Sequence, residues 1–325
     1  RMLWYTITIT NLSRYTMGQL IDGNWTTDSI VTSDAQGSYQ RKRRTFLSKI
    51  HREDARFTPE KNRYHLYVSY ACPWATRTLI YRQLKDLNDH ISVSVVHPDM
   101  LDDGWVFDSS FPGATEDHLF GKKFLREIYQ KADPSITTSV TVPILWDKKT
   151  ETIVNNESSQ IIRILNTAFN DLTGNHIDFY PQEKRTEIDR LNDMIYDNVN
   201  NGVYKSGFAL TQSAYDDAVT KLFETLDYLD EQLSHSKFLV GDDITEADLR
   251  LIPTLLRFDA VYVTHFKCNI SRIIDYKNLH RYMQDMLEVP AIKDTCNIDH
   301  IKRHYYYSHE QINPYRIIPK GPSNI

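Results

Sequence analysis

Polar and apolar positions change period several times along the chain, and those changes mark out its elements. Residues 17–59 are polar and charged with little periodicity, which predicts an extended arm lying on the body. Tyr64-His65-Leu66-Tyr67-Val68 reads as a buried strand within 63–68. Leu79, Ile80, Leu84 and Leu87 then recur at helical spacing, giving a helix over about 73–87, and Ile91 to Val96 alternates as a second strand. A loop-rich stretch from His97 to about Glu116 follows, with Gly104-Trp105 and Phe111-Pro112-Gly113, and then a helical segment over about 117–132. Thr141 to Trp146 and Thr152 to Val154 form short strands around a polar turn, and Glu157 to Asn166 reads as a helix. After Pro181 no strand signal survives; helical patterns at about 184–200, 213–235, 246–257 and 276–287 fill the remainder. The order β-α-β-α-β-β-α is the thioredoxin-like plan, so the expected fold class is an α/β thioredoxin-like N-terminal domain followed by an all-α domain. The expected divisions are an N-terminal extension and arm at 1–59, the thioredoxin-like domain at 60–168 with a loop insert at about 97–116, and the helical domain with its tail at 180–325.

This pattern puts Cys72 at a strand-to-helix turn, with Pro73 in the first helical turn. A thiol there feels unsatisfied backbone N–H groups and the positive end of the helix dipole, which favour thiolate, so its sulfur is expected to be a nucleophile near neutral pH. Packing as a small buried hydrophobe is the alternative for any free cysteine. The residue three further on is Ala75, so no internal C-x-x-C disulfide can form. The partner thiol must come from another molecule, and glutathione is the obvious candidate. Cys268 and Cys296 have no such setting.

Composition narrows the partners. In 325 residues, 41% hydrophobic, there is room for two buried cores. A net charge of −5 gives no basic footprint for nucleic acid, and the run Arg41-Lys42-Arg43-Arg44 reads as a solvated arm. Three widely spaced cysteines do not make a disulfide framework and suit a reducing compartment. No apolar run approaches the ~18 residues of a membrane helix. Residues 1–16 lack a signal peptide's apolar core and are expected to be an upstream extension, Met17 making a natural start. Thr245-Glu246-Ala247-Asp248 is a capping signal whose role is folding.

A run of short strings carries a narrower resemblance: Met17-Gly18-Gln19-Leu20, Ala71-Cys72-Pro73-Trp74-Ala75, Ser94-Val95-Val96-His97-Pro98, Gly104-Trp105, Phe111-Pro112-Gly113-Ala114-Thr115, Thr141-Val142-Pro143, Asn156-Glu157-Ser158, Asn201-Gly202-Val203-Tyr204-Lys205 and Ile312-Asn313-Pro314. In this order, from about Met17 to the C-terminus, the chain resembles the glutathionyl-hydroquinone reductases, the Xi class of the glutathione transferases, which are omega-like. The resemblance implies a glutathione-transferase helical domain, a cytoplasmic homodimer and a place in quinone metabolism and detoxification. Glutathione would be co-substrate, and glutathionylated hydroquinones would be reduced through a Cys72 mixed disulfide. Trp105, Val142, cis-Pro143, Glu157 and Ser158 would bind glutathione; Tyr204 and Tyr305 would stack on the quinone and supply hydroxyls, with Tyr306 also facing the substrate.

Two positions depart from the family pattern. Thr76 stands where a histidine follows Cys-Pro-Trp-Ala, which removes a positive neighbour of the thiolate. Ser139 replaces an arginine that holds a glutathione carboxylate, and Ser139 cannot form a bidentate ion pair. Arg126, on the preceding helix, is the candidate substitute. His300 and His304 at i, i+4 are read as solvated or hydrogen-bonded side chains rather than metal ligands, and no metal is expected. The alternatives are a broader deglutathionylase or dehydroascorbate-type thioltransferase and, from another class, a non-catalytic glutathione-fold binding protein.

Overall fold

Each expected strand and helix of the α/β half has a counterpart in the computed structural model, which describes residues 18–27, 32–42 and 44–322. The expected extension at 1–16, Met17 and Arg43 lie outside the described residues. In the first half the elements run β1 (Gln19–Ile21), β2 (Asn24–Thr26), β3 (Thr32–Ser33), β4 (Tyr39–Gln40), β5 (Tyr64–Val68), α1 (Pro73–Leu84), β6 (Ile91–Val95), α2 (Leu125–Ala132), β7 (Thr138–Ser139), β8 (Ile144–Asp147), β9 (Thr152–Asn155) and α3 (Ser158–Thr167). The second half is helical: α4 (Asn170–Thr173), α5 (Arg185–Ile195), α6 (Gly202–Gly207), α7 (Gln212–Leu233), α8 (Glu246–Arg257), α9 (Lys277–Leu287), α10 (Pro290–Lys293) and α11 (Ile298–Ser308). None of these helices is long and apolar enough to cross a membrane.

The central sheet has the order β6-β5-β8-β9, with β5 parallel to β6 and antiparallel to β8. Every residue of β5 is buried. A strand covered on both faces carries a continuous apolar run, and its one exception, His65, is satisfied by Ser92 Oγ at 2.7 Å and Ser94 Oγ at 3.0 Å. Helix α1 packs on α3 inside this domain and on α8 and α10 of the helical half. The helix that begins at Cys72 is therefore also the joint between the two halves.

The structure corrects several expected boundaries. The helix expected over 117–132 starts only at Leu125, because the Asp117 carboxylate accepts the backbone N–H groups of Leu119, Phe120 and Lys122 and holds a turn instead. The strand expected from Thr141 begins at Ile144, after a cis Val142–Pro143 peptide. The arm is not bare chain: β1 forms a hairpin with β2 and pairs with β7 on its other side, with Gln19 opposite Ser139. The pattern over 184–200 divides into α5 and a π-helical turn, Tyr196–Asn200. Helix α11 had no place in the sequence scheme, although Asn297 caps it by accepting the His300 N–H at 3.1 Å.

The Thr245–Asp248 capping box is formed as expected. The fully buried Asp248 carboxylate accepts the Leu239 N–H at 2.9 Å, the Thr245 N–H at 2.8 Å and the Tyr282 hydroxyl at 3.0 Å. Asp248→Ala leaves these donors without their acceptor, and an unsatisfied buried donor costs about 1–3 kcal/mol. The expected loss in urea unfolding is thus about 3 kcal/mol or more; a loss under about 1 kcal/mol would mean water replaces the carboxylate freely.

Candidate active site

Cys72 caps α1 with extended backbone, and its Sγ lies 3.8 Å from the Val142 carbonyl oxygen. Burial is the largest influence on this thiol and pushes it above its ordinary value; the Ala75 amide, the Arg257 charge, the Trp74 amide and the Arg41 charge pull the other way. Loss of hydration thus opposes the helix N-terminus at this thiol. Alkylation of Cys72 by iodoacetamide is accordingly expected to go on rising with pH beyond about 8.5, the free-cysteine value. Arg41→Gln removes a positive neighbour and moves the midpoint further up; a plateau near neutrality would contradict this assignment.

Arg257 at the end of α8 is fully buried and meets no carboxylate among the described residues. Its guanidinium donates to the carbonyls of Ala71 (2.9 Å), Tyr70 (2.9 Å) and Pro253 (2.6 Å) and to Thr76 Oγ1 (2.9 Å). Three of these four acceptors flank Cys72, so a residue of the helical half fixes the thiol's turn. It also answers the first departure: Thr76 accepts from a permanent cation where the family pattern has a histidine.

The thiol opens on a cavity between the two halves. One wall comes from the α/β half, with Cys72, Trp74, Trp105 and Ser139 to Val142, and the other from the helical half, with Tyr204, Phe208, His304, Tyr305 and His309. A smaller cleft shares Arg41, Arg44, Trp74 and Val142 and reaches Pro143, Asn156, Glu157 and Ser158. At its far end Glu157 caps α3, accepting the Ser159 N–H at 3.1 Å, and Ser158 Oγ lies 3.4 Å from a buried Arg77 nitrogen.

The arm forms the roof, which corrects its reading as solvated. Tyr39, Arg41, Lys42 and Arg44 all line the larger cavity. Arg41 lies over the Trp74 ring at 4.4 Å and donates from Nε to Asn201 Oδ1 at 2.8 Å. Arg126 lines neither cavity. It is committed to the Asp103 carbonyl (2.7 Å) and carboxylate (3.0 Å) and lies over Phe124 and Trp25, tying the loop insert to the arm. Arg44 lines both cavities and makes no hydrogen bond or ion pair among the described residues.

Tyr204 and Tyr305 meet hydroxyl to hydroxyl at 2.6 Å, and Tyr262, missed in the sequence, extends the chain at 3.0 Å from Tyr305. Burial is the main cause that raises all three phenols, Tyr262 to about 12 and the others well above their ordinary value, so each keeps its proton. Tyr306 points elsewhere: its hydroxyl donates to the Ala260 carbonyl at 3.0 Å. Tyr306 does not line the larger cavity. His300 and His304 use a ring nitrogen on the carbonyls of Pro112 and Pro98, both at 2.8 Å, and pin α11 to the loop insert.

Known proteins share this sequence and fold. The glutathione S-transferase N-terminal domain model matches residues 71–168, and the C-terminal domain model matches 212–285. Glutathionyl-hydroquinone reductase YqjG of Escherichia coli is 53% identical, over 94% of this chain and 95% of its own. The solved glutathione-bound structure of YqjG superposes with a TM-score of 0.87 at 51% identity, covering 95% of this chain and 96% of that one. The glutathione-S-transferase Xi of Phanerochaete chrysosporium matches with a TM-score of 0.88 at 54% identity, covering 90% of this chain and 95% of its own.

Proposed function

The chain belongs to the glutathione S-transferase family, in its Xi class, and from that premise we propose that it is a glutathionyl-hydroquinone reductase with glutathione as co-substrate. The observation that carries the reading is one cavity lined by both a free thiol, Cys72, and the joined hydroxyls of Tyr204 and Tyr305. Glutathione lies along Cys72, Val142 and Pro143, with its γ-glutamyl end at Glu157, Ser158 and the N-terminus of α3, while Trp105 closes the larger cavity. Arg44 takes the carboxylate role first given to Arg126.

In the first half-reaction a tyrosine hydroxyl gives its proton to the ring carbon that carries sulfur and takes the proton of the ring hydroxyl in return, giving the keto tautomer with its carbon–sulfur bond still whole. The Cys72 thiolate then attacks the glutathione sulfur; a sulfur–sulfur bond forms, the carbon–sulfur bond breaks, its electron pair restores the aromatic ring, and the ring oxygen takes a proton from a tyrosine to give the hydroquinone. In the second, a glutathione thiolate attacks the mixed disulfide, releasing glutathione disulfide and the Cys72 thiolate, and solvent returns the tyrosine proton. Glutathionyl-p-hydroquinone plus one glutathione becomes hydroquinone plus glutathione disulfide. Chromatography of a steady-state reaction tests this: equal amounts of the two products are expected, and hydroquinone without glutathione disulfide would refute it.

The cation assignment has its own test. A charge-assisted contact contributes about 1.5–3 kcal/mol, so Arg44→Ala is expected to raise the glutathione KM by roughly tenfold or more. Arg126→Ala leaves that KM near its starting value, and Ser139→Arg, facing an existing cation, lowers it little. A KM that responds to Arg126 and not to Arg44 would reverse the assignment. The homodimer and the cytoplasmic setting that the resemblance implies belong to the same proposal; the free state of all three cysteines supports a reducing compartment.

A further inference from the structure

The mechanism above leaves His304 unused, although its ring lines the cavity beside Tyr305. Its Nδ1 lies 2.8 Å from the Pro98 carbonyl oxygen, an atom that can only accept, so Nδ1 carries the ring proton. Burial is the main influence that holds the imidazole neutral, down to about 4; the Pro98 carbonyl and Asp99 pull upward, and Arg257 and His300 push down. Nε2 is then a bare lone pair, and it meets no hydrogen-bond partner among the described residues. Stacking on Trp105, with centroids 4.7 Å apart and planes 21° apart, fixes the ring. Edge contact with Tyr305 at 5.3 Å sets it beside the phenol pair.

A phenol hydroxyl turns to donate or accept, so the tyrosines tolerate either oxidation state of the substrate ring. A neutral imidazole with its proton committed elsewhere only accepts. The hydroxyl of a hydroquinone supplies the donor that such a nitrogen needs; the carbonyl oxygen of a quinone brings a second lone pair against it. Resting on the reductase reading, we propose that His304 Nε2 is a specificity-determining acceptor that selects the reduced hydroquinone conjugate over the oxidised quinone conjugate. A site built around a substrate hydroxyl discriminates strongly against the analogue without one, because its own polar group is left unpaired.

Two measurements test this. In full-length Cys72→Ser protein labelled with ¹⁵N-histidine, which leaves the conjugate intact, and with His304 assigned by loss of its signal in His304→Phe, Nε2 is expected to resonate as an unprotonated nitrogen. It should move toward the protonated position on adding glutathionyl-menadiol under anaerobic conditions, and not on adding glutathionyl-menadione. A protonated Nε2 in the free enzyme, or an equal response to both conjugates, overturns the proposal. Affinity is then compared in Cys72→Ser, which cannot react, with and without His304→Phe, which keeps a ring on Trp105. A preference for the reduced conjugate of about tenfold or more is expected to fall to about twofold or less, and a preference that survives contradicts the proposal. Turnover by the unaltered enzyme separates the two readings. A protein that cannot reduce the conjugate fails as a reductase; one that reduces it, yet keeps its preference without His304, fails in this inference alone.

Discussion

Cys72→Ser is expected to lower reduction of glutathionyl-p-hydroquinone by at least about 10³-fold, as loss of a covalent nucleophile does, while the protein stays folded. Serine fills nearly the same space at the cap of α1, and the bonds Arg257 makes to Ala71, Tyr70 and Thr76 do not involve the sulfur. The electron pair that becomes the sulfur–sulfur bond comes from the thiolate, and a serine hydroxyl has no equivalent at neutral pH. A variant retaining about a tenth of the rate would remove the mixed disulfide from the mechanism.

The second large effect separates a reductase from a general thioltransferase. Tyr305→Phe keeps the ring but removes the hydroxyl between Tyr204 and Tyr262, and Tyr204→Phe removes the end of that chain that lines the cavity. Loss of one donor to a developing charge in a dry site costs about 10²–10³ in turnover, and both variants are expected to fall in that range on glutathionyl-hydroquinones. Exchange with a small glutathione mixed disulfide transfers no proton to carbon, so its rate should hardly change. Tyr262→Phe is expected to cost less than either, since Tyr262 does not itself line the cavity. Equal losses on both substrates would indicate damage to the glutathione cleft, and no loss on either would favour the broader thioltransferase.

The residues legible in the sequence are those whose signal is local. Cys72 before Pro73, Pro143 opening a strand, Glu157 before a helix and the Thr245–Asp248 box each announce a turn or a cap within four residues. Arg257 gave no such signal: a basic residue in the last turn of a helix reads as a dipole partner, and only packing of α8 on α1 brings it to Ala71, 186 positions away. Arg41 was obscured by its company, because a run of cations ordinarily faces water. Its position between Trp74 and Tyr204 depends on rings from both halves. Tyr262 and His304 become functional candidates only once α11 lies against the loop insert and the turn after α8. The Asn297 cap could have shown that helix, since an asparagine three residues before His300 is an ordinary N-terminal signal.

The central claim is that glutathione passes through Cys72, and a single turnover tests it most directly. Enzyme is mixed with an equal amount of glutathionyl-p-hydroquinone and no free glutathione, then quenched in acid for intact-mass analysis and peptide mapping. The account predicts one glutathione held in disulfide linkage on Cys72 and an equal amount of hydroquinone released, with later addition of glutathione clearing the adduct as glutathione disulfide. Hydroquinone released in that amount from a protein of unchanged mass, or an adduct on Cys268 or Cys296 instead, would contradict it.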